Sequence, residues 1–390
     1  MEKQWGNLRL SFILISLSFG VMSFLLPIYS KEMGMNAAEI GGMFSILSFV
    51  ILICKPIIGR WTDRIGWKWF LVIAMSTYAL AFCILADATN IWFLYMSRIL
   101  QGIGSAFLGI ASYSMSVSIV DEDKVGQQIG RVASAHSIGI MLGTGICFLI
   151  LSRTEFLVGW QRLFRIYALL AGVGALLIAL RIKTNTKVPK KHMKSKETIK
   201  YSKEMLGLLL ITFLLMLSSS MLSPIFMVYL QDNVTTNVWG VALAFIPVNI
   251  IYSVFSGRLG GVSDKYGHTK IMLLRIGISC LVTLLIPSTN SLIFLAILWS
   301  ADAVGDILER TARIAFQSKL VGKETKGEVY GVYSSVASIG TIIGPFIGGL
   351  VYDRIAMTAP FYMNGVLLMI VCILILLMFN KPKLIRLFNQ

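Results

Sequence analysis

Five ionisable residues lie within twelve positions of a stretch, residues 291–316, that is otherwise strongly apolar. They are Asp302, Asp306, Glu309, Arg310 and Arg313. On a helix turning about 100° per residue, all of them except Arg310 share an arc of roughly 60°, and the stripe extends about 16 Å along the axis. The spacing permits Asp306–Arg310 and Glu309–Arg313 pairs, which would leave Asp302 unpaired.

Two kinds of chemistry suit this acidic stripe. A buried carboxylate without a counter-charge takes up a proton more readily than a solvated one, because burial disfavours its charged form. Asp302 and Asp306 are therefore candidates for exchanging a proton against a cation or against a conformational change. The alternative is a static charge network that gates one end of the helix, which Glu309, Arg310 and Arg313 suit better.

Two further apolar stretches contain polar side chains. Arg98 and Gln101 lie in residues 91–117. Because an arginine inside a membrane is costly, Arg98 either faces protein or a polar neighbour, or its guanidinium extends to the membrane interface. His136, among small residues, is either a proton-relay or substrate-binding group or a hydrogen-bonded packing residue.

The composition predicts that lipid surrounds most of the chain. Apolar residues make up 56% of it, charged residues only 14%, and the mean hydropathy is +0.77. Soluble proteins contain roughly 25% charged residues. Since backbone amides in hydrocarbon must be paired within their own segment, and barrel strands are shorter with alternating polarity, long apolar runs indicate helices. We predict twelve, over residues 8–30, 39–58, 69–88, 91–117, 128–151, 163–180, 206–230, 238–258, 270–288, 291–316, 328–351 and 359–379.

The chain contains an internal repeat with an offset of 201 residues. Gly126–Gly143 aligns with Gly327–Gly344 at seven identities in eighteen positions, without a gap. Repeats in apolar chains are typical of secondary transporters, whose two halves move about a site between them. We predict two pseudo-symmetric six-helix bundles, residues 1–181 and 206–390, joined by a basic linker, residues 182–205.

The positive net charge of +16 predicts orientation. Most lysines and arginines fall on the side that holds the termini, including nine between Arg181 and Lys203, so both termini are expected to be cytoplasmic. The linker is expected to be solvated, in reach of anionic lipid headgroups. A charge so distributed does not indicate nucleic-acid binding. Five basic residues fall on the other side: Lys31, Arg153, Arg162, Arg165 and Arg354.

A glycine-rich, charged turn follows the second predicted span and recurs 201 residues later. The first copy reads GRWTDRIGWK over residues 59–68, and the second reads GGVSDKYG over residues 260–267. Its glycines would permit close helix approach and a tight turn. Asp63 could accept hydrogen bonds from a helix N-terminus or pair with a basic residue, as a latch between two states. The predicted cytoplasmic latch comprises Gly59, Asp63, Arg64, Gly66, Lys68, Gly260, Asp264, Lys265 and Gly267.

This arrangement of six spans, basic linker and six spans resembles the major facilitator superfamily over essentially the whole chain. In that family the turn reads roughly G-x-x-x-D-R-x-G-R-K, from which the first copy departs only at Trp67. The pattern is most similar to the drug–proton antiporter branch. The resemblance implies a multi-pass transporter of the cytoplasmic membrane, working by alternating access on a small molecule and protons.

Two glycine motifs carry the resemblance further. Arg98, Gln101, Gly102 and Gly104 match the R-x-x-Q-G-x-G pattern of proton-coupled members. The antiporter pattern G-x-x-x-G-P-x-x-G-G, usual on the fifth span, is intact here only on the eleventh. This weakens an antiporter assignment based on the fifth span alone, and such spacing is typical of helix packing. The packing or gating candidates are Gly102, Gly139, Gly143, Gly340, Gly344, Pro345, Gly348 and Gly349.

Together these features predict proton-coupled efflux of an amphipathic or cationic compound. The alternative is a symporter that imports a polar metabolite, for which Gln101, Asn249, Tyr252 and Asn364 are candidate ligands. We expect no enzymatic activity, cofactor or metal, because the three histidines are isolated and the five cysteines lie singly. A monomer is expected.

Overall fold

The computed structural model describes residues 2–120, 125–182, 203–235, 268–319 and 326–379, and five single positions between 240 and 251. The structure describes the backbone alone for residues 2–4, 60, 62–64, 125–126, 203–204, 268–269, 310–319, 326–330 and 379. Within this part the chain forms eleven α-helices and a short 3-10 helix, Ile286–Ser288, and no strand. The α-helices are α1 Glu2–Glu32, α2 Ala37–Ile65, α3 Trp67–Ala86, α4 Ile91–Ser118, α5 Val125–Leu151, α6 Phe156–Arg181, α7 Lys203–Asn233, α8 His268–Leu285, α9 Leu292–Lys319, α10 Lys326–Arg354 and α11 Ala359–Phe379.

The helices α8 to α11 correspond to the ninth to twelfth predicted spans. The eighth, residues 238–258, and the linker, residues 182–205, lie almost wholly outside the described residues. Ten of the eleven described helices are long and apolar enough to cross a membrane. The exception is α9, the helix that carries the acidic stripe.

Residues 1–35 and 46–195 form the first of two compact units. Within it α1 packs on α5 and α6, and α3 packs on α4 and α6. Buried tryptophan and tyrosine side chains carry a polar donor into the apolar interior. In this unit two of them donate hydrogen bonds to backbone carbonyls, because a buried donor needs an acceptor. The Trp160 indole N–H donates to the Leu85 carbonyl (2.7 Å), and its ring stacks on Tyr29 at 3.8 Å. The Tyr167 hydroxyl donates to the Gly143 carbonyl at 2.7 Å.

The contact between α1 and α5 depends on two glycines. A Cβ atom at Gly139 would stand 2.7 Å from the Ser16 Cβ, and one at Gly143 would overlap the backbone of Leu17. These two helices therefore approach closely enough for backbone to touch backbone.

The second unit comprises residues 36–45 and 196–390. Here α7 packs on α10 and α11, and α8 packs on α9 and α11. Its core is aliphatic and includes Leu208, Ile211, Ile276, Leu368 and Ile375. In α10, Gly340, Gly344 and Gly348 all lie against the α7 backbone. The repeat therefore places the same glycine-mediated contact in each unit, α1 with α5 and α7 with α10.

We expect Gly143→Leu to destabilise the protein strongly, because the added side chain has to displace α1. Overpacking a closed contact costs about 1–3 kcal/mol or more. The matched control is Gly145→Leu, on the same helix, where a Cβ meets no described atom within 4 Å. Thermal unfolding of the two detergent-solubilised variants checks this, and equal melting temperatures would contradict it.

Candidate functional site

A buried cluster of one arginine and two aspartates joins α8 to α9 in the second unit. The Arg275 Nη2 atom lies 3.6 Å from the Asp306 Oδ1 and 4.0 Å from the Asp302 Oδ1. The Arg275 side chain is only 8% exposed, that of Asp306 16% and that of Asp302 27%. We call Arg275, Asp302 and Asp306 the carboxylate–arginine cluster.

Local helix geometry explains how the cluster forms. Asp302 and Asp306 are four residues apart, so both face the same neighbour. Gly305 lies beside them, and a Cβ there would be 3.1 Å from the Arg275 Cγ. The missing side chain leaves room for the stem of Arg275, which brings one guanidinium within reach of two carboxylates.

The prediction leaves Asp302 unpaired, whereas the structure places the Arg275 guanidinium 4.0 Å from its Oδ1, an oxygen that accepts no hydrogen bond within the described part of the chain. The prediction considered partners on the same helix, whereas Arg275 reaches both aspartates from the preceding one. A signal was present in the sequence, since Arg275 is a basic residue inside the ninth predicted span and so requires a partner.

The remaining members of the stripe are only partly described. Glu309 is buried. The side chains of Arg310 and Arg313 lie outside the described residues, and so do the pairs predicted for them with Asp306 and Glu309.

In the first unit, Arg98 is buried inside the helix bundle. It is 3% exposed, and its Nη1 donates to the Gln101 Oε1 at 2.9 Å. The interpretation in which its guanidinium extends to the membrane interface is therefore wrong, and the pairing with a polar neighbour is what the structure has. One turn further along α4, Ser105 exchanges a 2.5 Å hydrogen bond with the Tyr78 hydroxyl of α3.

His136 lies between two phenylalanine rings of α1. The Phe12 ring meets it edge-on at 5.4 Å between centroids, and the Phe19 ring stacks on it at 6.0 Å. Its Nδ1 also hydrogen-bonds to the Ser16 hydroxyl. These contacts are those of a hydrogen-bonded packing residue.

The predicted cytoplasmic latch is described in part. Gly66 has a φ of +84° between α2 and α3, in agreement with its predicted tight turn. A Cβ at Gly59 would meet no described atom within 4 Å. The Lys68 ammonium lies 5.3 Å from the centroid of the Trp69 ring. Outside the described residues are the side chains of Asp63 and Arg64, and all of Gly260, Asp264, Lys265 and Gly267.

The sequence profile of the Major Facilitator Superfamily matches residues 8–206 and 208–389, nearly the whole chain. The chain belongs to this superfamily. It is a transporter of small molecules and a multi-pass protein of the cell membrane, in agreement with the ten described helices that are long and apolar enough to cross a membrane.

Curated superfamily relatives include drug-resistance proteins. Multidrug resistance protein 1 of Bacillus subtilis (strain 168) is 25% identical, with 95% of each chain covered. A multi-drug resistance efflux pump, PmrA homolog, of Lactococcus lactis subsp. lactis (strain IL1403) is 26% identical, covering 88% of this chain and 86% of the relative. Among solved structures, a variant of the nucleoside transporter NupG superposes with a TM-score of 0.81 at 15% identity, covering 96% and 99% of the two chains. That likeness shows the fold.

Among the residues described for this transporter, no group of three or more histidine, cysteine, aspartate or glutamate side chains is arranged to hold a metal ion.

We expect Arg275→Met to destabilise the transporter by up to about 3 kcal/mol. The substitution removes the guanidinium from two carboxylates in a largely buried site. The triple variant Arg275→Met, Asp302→Asn, Asp306→Asn removes all three charges and should recover most of that loss. Thermal unfolding in detergent measures both. If Arg275→Met alone were as stable as the parent, the ion pairs would not hold α8 to α9.

Proposed function

We propose that this chain is a proton-coupled efflux transporter for an amphipathic or cationic compound, with the carboxylate–arginine cluster as its coupling site. The observation that carries the proposal is that two aspartates share one arginine in a largely buried position. The proposed mechanism is alternating access between the two halves of the superfamily fold.

The charge balance of the cluster explains how it would couple. Two carboxylates share the Arg275 guanidinium in a largely buried site. In the proposed mechanism, a proton on either carboxyl group, or a cationic group of the substrate, neutralises carboxylate charge there. Binding of either one lowers the affinity of the cluster for the other, so proton and cation are antagonistic ligands. This negative coupling is the thermodynamic basis of exchange.

The proposed cargo rests on chemistry and on relatives. Two carboxylates within apolar helices suit a molecule that is cationic and partly apolar. The relatives named above are a multidrug resistance protein and a multi-drug efflux pump, and both are covered over most of their length. Export by antiport agrees with the chemistry of the cluster and with the names of these relatives.

Import of a polar metabolite by symport is the second candidate, because a transporter of nucleosides shares this fold. Such a substrate needs polar side chains that are free to bind it. Gln101 accepts a hydrogen bond from Arg98, while Asn364 accepts one from Ser218 and donates to Thr283 at 3.5 Å. Asn364 is thus engaged through both atoms of its amide, whereas Gln101 keeps a buried Nε2 donor without a hydrogen-bond partner among the described residues. The other two candidates, Asn249 and Tyr252, lie outside the described residues. Efflux is favoured because of the carboxylates of the cluster and the named relatives.

The proposal includes the full topology. Six described helices precede the linker and five follow it. The eighth predicted span, residues 238–258, would supply the twelfth helix, giving bundles over residues 1–181 and 206–390 with both termini cytoplasmic. We propose that a monomer is sufficient for transport.

We expect Asp302→Asn and Asp306→Asn each to abolish transport driven by a proton gradient in proteoliposomes, because neither variant has two carboxylates to share the guanidinium. Exchange of substrate for substrate, without a gradient, should persist. The matched control is Asp87→Asn, which removes an exposed carboxylate paired with Arg165 at 2.6 Å. Full proton-driven transport in both cluster variants would exclude the cluster as the coupling site.

We also expect substrate addition to proteoliposomes to evoke proton movement opposite to that of the substrate. A panel of cationic, neutral and anionic compounds, read with an internal pH dye, measures direction and charge preference together. The cationic compounds should give the largest signals. Proton and substrate moving in the same direction would instead establish the symporter.

A further inference from the structure

The first turn of α2 is capped from two directions. Asn36 and Glu39 form a reciprocal capping box, in which the Glu39 amide donates to the Asn36 Oδ1 (2.8 Å) and the Asn36 amide donates to the Glu39 Oε2 (2.9 Å). This box leaves the amides of Ala37 and Ala38 without a partner from the turn itself.

Asp353, in the last turn of α10, accepts from both of those amides. The Ala37 amide donates to the Asp353 Oδ1 at 3.1 Å, and the Ala38 amide donates to the Oδ2 at 2.7 Å. A carboxylate at the positive end of a helix dipole, held by two hydrogen bonds, is a favourable charge-assisted contact. Because the capping box remains, the helix can lose Asp353 without losing its cap.

Glycines allow the two helices to come this close. A Cβ at Gly41 would overlap the backbone of Pro345, and one at Gly349 would stand 2.6 Å from the Ala38 Cα. The glycine motif of α10, residues 340–349, therefore packs on two neighbours. Gly340, Gly344 and Gly348 lie against α7, whereas Pro345 and Gly349 lie against α2.

The helix α2 is divided between the two compact units. Its first nine residues, 37–45, belong with the second unit and residues 46–65 with the first. Proline and glycine–serine pairs are frequent sites of sharp helix bends, and residues 43–55 contain neither proline nor glycine. When two units of a transporter move relative to each other, a helix without a bending point at the division has to release one of its contacts.

We propose that Asp353, with the Ala37 and Ala38 amides, is a conformational latch that holds the first turn of α2 in one state of the transport cycle and releases it in the other. We call this contact the Asp353 latch. It is distinct from the predicted cytoplasmic latch at Asp63, and it rests on alternating access and not on proton coupling.

The repeat supports a dedicated role for this carboxylate. The position equivalent to Asp353 in the first half, 201 residues earlier, is Ser152. The Ser152 hydroxyl donates to the carbonyl of Leu149 on its own helix, at 2.9 Å. The repeated fold therefore does not require an acid here, and the natural serine suggests a substitution compatible with this helix end.

The test is a distance measurement between spin labels in lipid nanodiscs. Labels are placed at Glu32→Cys and Ile355→Cys, exposed positions at the ends of α1 and α10, in full-length protein whose five native cysteines are replaced by alanine. The test variants are Asp353→Asn and Asp353→Ser. Arg354→Gln is the matched control, since it alters the neighbouring exposed charge, and Gly349→Val is a steric control that forces the helices apart.

We expect both Asp353 variants to raise the population with the longer label separation several-fold, in the same direction as Gly349→Val, while Arg354→Gln matches the parent. Melting temperatures close to that of the parent would show that the variants remain folded. An unchanged distance distribution in Asp353→Asn would overturn the latch, whatever Gly349→Val does. The measurement needs neither substrate nor proton gradient, so it is independent of the coupling site at Asp302 and Asp306.

Discussion

Charges within apolar helices must find partners inside the protein, and this constraint governs both units. Hydrocarbon offers no water to solvate an arginine or an aspartate, so an unpaired charge is very costly. The second unit meets the requirement with Arg275 between two aspartates, and the first meets it with Arg98 bonded to Gln101. The two halves of one repeat thus bury different charged groups, an arginine with two aspartates in one and an arginine with a glutamine in the other.

Close backbone approach is the second condition, and the glycines meet it. The pairs α1–α5 and α7–α10 are equivalent under the repeat, and both pack where side chains are missing. Such contacts are dense, so they resist gradual deformation and favour motion of helices as rigid bodies. The helix α10 is special because its glycines serve two neighbours at once, one of which is the first turn of α2.

Much of the fold could be predicted because helix formation in lipid depends on local composition. The predicted spans 91–117 and 359–379 agree with α4 and α11 to within a residue. The prediction is poorest where a helix continues beyond its apolar part. The span predicted from residue 163 begins as a helix at Phe156, since hydropathy detects the hydrocarbon-spanning part and gives no signal for the helical turns that extend past it.

The candidate site was predictable only in its residue types. The spacing of Asp302 and Asp306 placed both on one helix face, and a Gly-rich pattern predicted close packing, because both properties follow from the helical repeat along a single segment. The partner of those aspartates, Arg275, and the contact between Asp353 and the start of α2 join residues on different helices. Sequence spacing carries no information about which helix lies alongside, so those two contacts were decided by tertiary packing.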